Sequence, residues 1–240
     1  SYIPYLAEVP SSLCALTVMT PDGAIASAGD SDYRFAIESI SKVPTLALAI
    51  EDVGADEVQR KIGANPTGLG FNSVMALELH GGMPQSPLVN AGAMSCVSLI
   101  DAKDAQERWH RILQMQRDLL GAEVELSNEV NSSEQTTNFH NRAIAWLMYA
   151  DKTMYAEPME VCDVYTRQCS TLITTEALAT MAATLASRGR NPKTGKQVLA
   201  GDHVRHILAE MTMEGLYDSS GDWAYTVGLP AKSGVGGGIM

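Results

Sequence analysis

Strand-forming sequence is confined to the two ends of this 240-residue chain, and a helical pattern fills almost everything between them. Residues 13–20 and 24–28 are short β-prone runs on either side of Pro21-Asp22-Gly23, a turn suited to a two-stranded antiparallel hairpin. From Ser39 to about Gly189 the pattern predicts helices over residues 39–53, 72–78, 91–100, 104–120, 137–150, 159–169 and 175–187, the last ended by Gly189. Asp202 is placed to cap a helix that reaches Glu214 and stops at Gly215. Residues 223–229 then alternate as a strand does, and another strand is expected from Ala231. This order predicts an α+β fold: an antiparallel sheet made by residues 1–38 and 189–240, with residues 39–188 inserted as a mainly helical subdomain. The cleft between the two parts is the expected site.

Length and charge narrow the functions available. The chain is at the upper end of what one core supports, so a single unit divided into two subdomains is expected. A formal net charge of −11 opposes association with phosphate backbones and anionic membrane surfaces, so nucleic acid is not an expected partner. Cys14, Cys96, Cys162 and Cys169 show no C-x-x-C spacing and too low a density for a disulfide framework, which fits a reducing cytoplasm. No apolar run reaches the ~18 residues of a membrane span.

The chemistry begins at Ser39-Ile40-Ser41-Lys42, which leads into the apolar run Val43-Pro44-Thr45-Leu46-Ala47-Leu48-Ala49-Ile50. Residues three apart on a helix are neighbours, so the Lys42 amine can take the Ser39 proton as that hydroxyl attacks a carbonyl. Of the seven lysines only Lys42 has a serine three residues before it. This is a serine-lysine variant of the serine-histidine arrangement.

Such a nucleophile needs donors for the oxyanion, and Lys232-Ser233-Gly234-Val235 can supply a backbone N–H. It resembles the K-[ST]-G strand that accompanies S-x-x-K in penicillin-recognising enzymes; here the donors are the N–H groups of Val235 and Ser39. Lys193-Thr194-Gly195 matches K-T-G more closely by letter. It lies in the polar turn Arg190-Asn191-Pro192-Lys193-Thr194-Gly195-Lys196 without β-prone neighbours, so Lys232 is preferred.

The third penicillin-recognising element, S-x-N or Y-x-N, is absent from the sequence. What stands in its place resembles the serine-dependent bacterial glutaminases. The likeness runs almost end to end through Tyr2-Ile3-Pro4, Glu38-Ser39-Ile40-Ser41-Lys42, Pro87-Leu88-Val89-Asn90-Ala91-Gly92-Ala93, Ser133-Glu134, Asn141-Arg142-Ala143-Ile144-Ala145, Gly215-Leu216-Tyr217 and Val227 to Val235. The resemblance implies a β-lactamase-like fold and hydrolysis of L-glutamine to L-glutamate and ammonia. Carried over by position, it implies Ser39 as nucleophile, with Lys42 and Tyr217 as proton carriers, the base being either. Substrate contacts fall on Tyr2, Ser39, Asn90, Glu134, Asn141, Tyr165, Tyr217 and the backbone of Val235.

The chemistry of glutamine agrees, because an ammonium, a carboxylate and a side-chain amide call for an anion, neutral donors and a nucleophile. Glu134 suits the ammonium, and if its segment is one continuous helix, Asn141 seven residues on shares its face. Taken alone, Glu134 reads as a surface carboxylate, Asn141 as a solvated helix residue and Tyr165 as a core aromatic.

No metal signature emerges from His80, His110, His140, His203 and His206, and residues 234–238 lack the lysine-serine pair of a phosphate loop, so neither metal nor cofactor is expected. The resemblance further implies a homo-oligomer, dimer or tetramer. Three features depart from it. Glu38 stands where the family usually has glutamine, Pro44 threatens to kink the Ser39 helix, and family members extend beyond both ends of this sequence, so a longer native protein is expected. The competing readings are a penicillin-recognising acylase or carboxypeptidase and an inactive amino-acid binding module.

Overall fold

A computed structural model describes residues 3–240. The chain opens with α1 (Pro4–Ala7), then β1 (Ala15–Met19), β2 (Ile25–Gly29) and β3 (Phe35–Ala36). A 3-10 turn (Glu38–Ser41) leads directly into α2 (Lys42–Val53), followed by α3 (Ala55–Ile62), α4 (Val74–Leu79), α5 (Asn90–Leu99), α6 (Ala105–Leu120), α7 (Asn128–Gln135), α8 (Phe139–Ala150) and α9 (Pro158–Cys169). After β4 (Leu172–Ile173) come α10 (Thr175–Ala186), α11 (Val204–Glu214), a 3-10 turn (Tyr217–Ser219) and α12 (Ser220–Val227).

β1 and β2 pair antiparallel from Ala15 opposite Gly29 to Met19 opposite Ile25, closed by the turn the sequence predicts. β3 pairs with β4 in a separate two-stranded sheet. Local signals set the helix starts. The side chains of Asp104 and Thr174 accept the N–H groups of Glu107 and Ala177, each satisfying a donor that the first turn would otherwise leave unpaired.

The core forms around α2, whose residues 42–50 are all buried. It packs against α3, α5, α6 and α11, while α10 covers β1. Because α2 is enclosed on every side, its sequence is an unbroken apolar run rather than an amphipathic stripe. Pro44 does not break it. The 3-10 turn ends at Ser41, so Pro44 falls in the first turn of α2, where helical N–H groups have no intrahelical acceptor to lose.

Other expectations fail for identifiable reasons. Residues 220–227 are helix, not part of a strand over 223–229; only Ser220 of α12 is buried, so no apolar face marks the helical period. Asp202 does not cap α11, since its carboxylate pairs with Arg188 at 3.3 Å and His203 holds the cap position, its ring turned to Glu51 rather than to the first-turn N–H groups. The segment from Ala231 forms no strand with β1 and β2. Lys232 and Met240 exchange backbone hydrogen bonds at 2.8 and 3.0 Å, and Ser233 bridges Ile239, so the glycine-rich stretch turns back on itself. Helices α1, α3 and α7 lie outside every helix the pattern predicts.

Candidate active site

Ser39 is half-buried in the 3-10 turn that ends where α2 begins at Lys42. Residues three apart eclipse in 3-10 geometry, so this turn aligns Ser39 with Lys42 more directly than an α-helix would. Glu38, just before it, has a φ of +50°, in the left-handed region that non-glycine residues rarely adopt.

Lys42 is 1% exposed, and its Nζ donates to Asn90 Oδ1 at 2.8 Å and to the Tyr217 hydroxyl at 3.5 Å. Burial lowers its pKa to about 8, with opposing pulls from Cys169, Glu38 and Glu214. A substantial neutral fraction near pH 8 follows. The Tyr165 hydroxyl donates to the same Asn90 oxygen at 3.0 Å, and Asn90 Nδ2 donates to Asn141 Oδ1 at 3.0 Å. Asn90, the first residue of α5, is therefore as much a holder of Lys42 as a possible substrate contact. Its position depends on Gly92, where a Cβ would come 1.8 Å from the Ser86 carbonyl oxygen; only glycine lets the preceding loop pass this close.

Tyr217 connects the lysine to the serine. Burial raises its phenol pKa, and a side-chain hydrogen-bonding contact with Ser39 lowers it. Its backbone φ is +54°, a second strained residue in the site. Its ring packs on Phe71 with centroids 4.8 Å apart, and Lys232 Nζ sits 4.2 Å from its centroid. Gly215, two residues earlier, would place a Cβ 1.7 Å from the Ala231 carbonyl oxygen. Glycine there lets the Lys232 hairpin lie against the Tyr217 turn, where Ser233 N–H donates to the Gly215 carbonyl at 3.1 Å.

That hairpin also reaches Ser39. A Cβ on Gly234 would lie 2.9 Å from the Ile37 carbonyl oxygen and 3.4 Å from the Ser39 amide nitrogen. The Val235 backbone thus follows a residue in contact with the Ser39 backbone. Among the described residues, neither the Ser39 nor the Val235 N–H has a backbone acceptor. Lys232, fully buried, donates to the carbonyls of Gly215 and Ser233 at 3.1 and 2.6 Å, and burial holds its pKa well below the usual lysine range. Lys193 is exposed in its turn and pairs with Glu176 at 3.4 Å.

Glu134 is buried, in contrast to its bland reading, and accepts from Ser170 Oγ at 3.4 Å. It also contacts Glu38, and burial raises the pKa of both carboxyls. Tyr165 is 3% exposed, as a core aromatic would be, yet its hydroxyl belongs to the polar cluster. Glu134 and Asn141 do not share a helix face: residues 136–138 separate α7 from α8. Tyr2 lies outside the described residues. Phe71 could not be anticipated, since it comes from a loop with no periodic pattern.

Glu38, Glu134 and Cys169 offer three potential metal-ligand atoms within 4.8 Å of one another. The set suits a cation poorly. Cys169 Sγ already meets Ser41 Oγ at 3.6 Å, Glu134 accepts from Ser170 Oγ, and no histidine belongs to the set.

A family model described as Glutaminase matches residues 1–240. The chain is 67% identical over 239 residues to the glutaminase of Desulfovibrio desulfuricans and to Glutaminase 1 of Escherichia coli (strain K12), covering 100% of itself and 77% of each relative. Among solved structures, one described as a probable glutaminase ybaS superposes with a TM-score of 0.99 at 67% identity, over 100% of this chain and 77% of that one. A Bacillus glutaminase matches with a TM-score of 0.92 at 36% identity, over 100% and 80%. A probable glutaminase from Bacillus subtilis complexed with 6-diazo-5-oxo-L-norleucine matches with a TM-score of 0.89 at 33% identity, over 100% and 74%. The helices and small antiparallel sheets described above are thus those of the β-lactamase-like fold of these neighbours. With its whole length matched and about two thirds of its residues identical to curated relatives, this chain belongs to the glutaminase family of enzymes.

Proposed function

We propose that this protein hydrolyses the side-chain amide of L-glutamine through an ester on Ser39. Tyr217 takes the Ser39 proton while handing its own phenolic proton to the neutral Lys42 amine, as Oγ bonds to the amide carbonyl carbon. The oxyanion is held by the N–H groups of Ser39 and Val235. The proton then passes to the departing nitrogen, the C–N bond breaks and ammonia leaves. Water attacks the ester by the same route in reverse, releasing L-glutamate. Glu134 meets the α-ammonium, while Asn141, Tyr165, Asn90 and Tyr2 serve the remaining polar groups. No cofactor takes part.

The observation that carries this reading is the Lys42–Tyr217–Ser39 series, with a lysine lowered to about 8 next to a tyrosine that contacts the serine. The Bacillus subtilis neighbour adds support for the substrate class: 6-diazo-5-oxo-L-norleucine is an α-amino acid with a carbonyl at C5, where glutamine carries its amide carbonyl. Ammonia release from L-glutamine, measured beside L-asparagine and D-glutamine, tests the substrate. Labelling by 6-diazo-5-oxo-L-norleucine should modify the Ser39 peptide and vanish in Ser39→Ala; a label elsewhere would refute the nucleophile. The protein acts as a homo-oligomer in the cytoplasm on this reading, consistent with exposed Phe139, Trp146 and Tyr149 on α8 and with four free cysteines. No helix among the described residues is long and apolar enough to cross a membrane.

A further inference from the structure

Glu38 is a carboxyl in a place that does not suit a carboxylate. It is 2% exposed, and its side chain contacts that of Glu134. Its Oε1 is buried and meets no donor among the described residues. The hairpin closes over it so tightly that a Cβ on Gly236 would lie 3.2 Å from Glu38 Cγ. The ionisable groups facing it are Glu134 on α7, Lys42 on α2, Cys169 at the end of α9 and the Tyr217 phenol from the 3-10 turn after α11. Gly236, the hairpin residue against it, brings backbone alone.

Two touching buried carboxylates repel, and neither can donate to the other. We propose that Glu38 is a positioning residue for substrate recognition: it carries a proton and donates it to Glu134, so that the pair presents one negative charge to the substrate's ammonium. This rests on the reading that Glu134 meets that ammonium. The proton belongs on Glu38 because Glu134 has a donor of its own in Ser170 and Glu38 Oε1 has none. The direction of titration agrees: burial first, then the charge and contact of Glu134, raise the Glu38 carboxyl, and Lys42 only partly offsets them. A protonated glutamic acid also has nearly the shape of glutamine and offers the same kind of donor.

The test combines three readouts on the intact protein. Infrared difference spectra at neutral pH should show the carbonyl stretch of a protonated carboxyl in the wild type and lose it in Glu38→Gln. Glu38→Ala should raise KM for glutamine about tenfold with a smaller effect on kcat, since it strips a buried carboxylate of its donor. Glu38→Gln should restore most of that loss. Competitive inhibition by glutaramate, which lacks the α-amine, should respond far less to Glu38→Ala. If the wild type shows no protonated carboxyl, or if Glu38→Gln impairs KM as much as Glu38→Ala, the proposal is overturned. Glu134→Gln separates the two readings. Should it leave the preference for glutamine over glutaramate intact, the ammonium assignment falls and takes this inference with it. Should it abolish that preference while the protonated carboxyl is missing, only the role of Glu38 fails.

Discussion

The Lys42 amine lies 2.8 Å from the Asn90 amide oxygen, so the buried amine one turn from Ser39 is held by a neutral partner rather than by a carboxylate. A carboxylate there would lock the lysine in its charged form. The neutral oxygen fixes the geometry and leaves the proton free to move. Asn90→Asp should therefore raise the Lys42 pKa and shift the ascending limb of kcat/KM to higher pH by about one unit or more, as an opposite charge within a few ångströms does. An unmoved limb would show that the group titrating in this range is not Lys42.

The sign of the wild-type profile follows from the same lysine. A base must be deprotonated to act, and Lys42 loses its proton at about 8 in the free enzyme. The profile of kcat/KM should then rise with pH through that value. Activity that falls across this range instead would assign catalysis to the protonated lysine.

Ser39, Lys42 and Tyr217 act as one unit in this scheme, and their losses should not add. Ser39→Ala, Lys42→Ala and Tyr217→Phe should each lower kcat by about 10³-fold or more, with the double variants little worse. The fold should survive Tyr217→Phe, because the ring keeps its packing on Phe71. Steady-state ammonia release decides the matter; near-normal turnover in Tyr217→Phe would remove the tyrosine from the proton route.

Holding Lys42 in the core also costs stability. Its pKa falls from 10.5 to about 8 on folding, so the folded state binds fewer protons than the unfolded chain between those values. Stability consequently rises with pH across that window, and below pH 8 the penalty is present in full. Lys42→Met should raise stability at pH 7 by up to about 3 kcal/mol, a gain that fades toward pH 10.5. Asn90 Oδ1 keeps its Tyr165 donor in that variant. Denaturant melts at pH 7 and pH 10 would show the difference; a less stable variant at pH 7 would mean that the lysine's hydrogen bonds outweigh its desolvation.

Much of this is legible in the sequence alone. The hairpin around Pro21-Asp22-Gly23 and the helices that became α6 and α10 follow from turn chemistry and capping, which are local. The short spacing from Ser39 to Lys42 is local too. What could not be read is non-local or lacks a period. α12 is exposed on nearly all sides, Phe71 comes from an irregular loop, and the contact of Glu38 with Glu134 joins residues brought together only by folding. The left-handed backbone at Glu38 and Tyr217 is likewise invisible to propensity, which disfavours it; tertiary contacts must hold it there.

The two lysine-glycine motifs give the last prediction, because matching by letter ranks them the wrong way round. Lys193 sits exposed in a turn and makes one surface ion pair with Glu176, worth about 0–1 kcal/mol. Lys193→Ala should cost little activity or stability. Gly234 instead packs on the backbone at Ile37 and Ser39, and its successor Val235 carries the proposed oxyanion donor. Gly234→Ala would press a methyl carbon to 2.9 Å from the Ile37 carbonyl oxygen and push the hairpin away from Ser39. Losing one oxyanion donor costs about 10²–10³ in kcat, and Gly234→Ala should approach that while glutamine KM changes much less. The split between kcat and KM is the measurement that matters. Equal losses in Lys193→Ala and Gly234→Ala would mean that neither hairpin amide faces the reacting carbonyl, and the second oxyanion donor would have to be sought on another element.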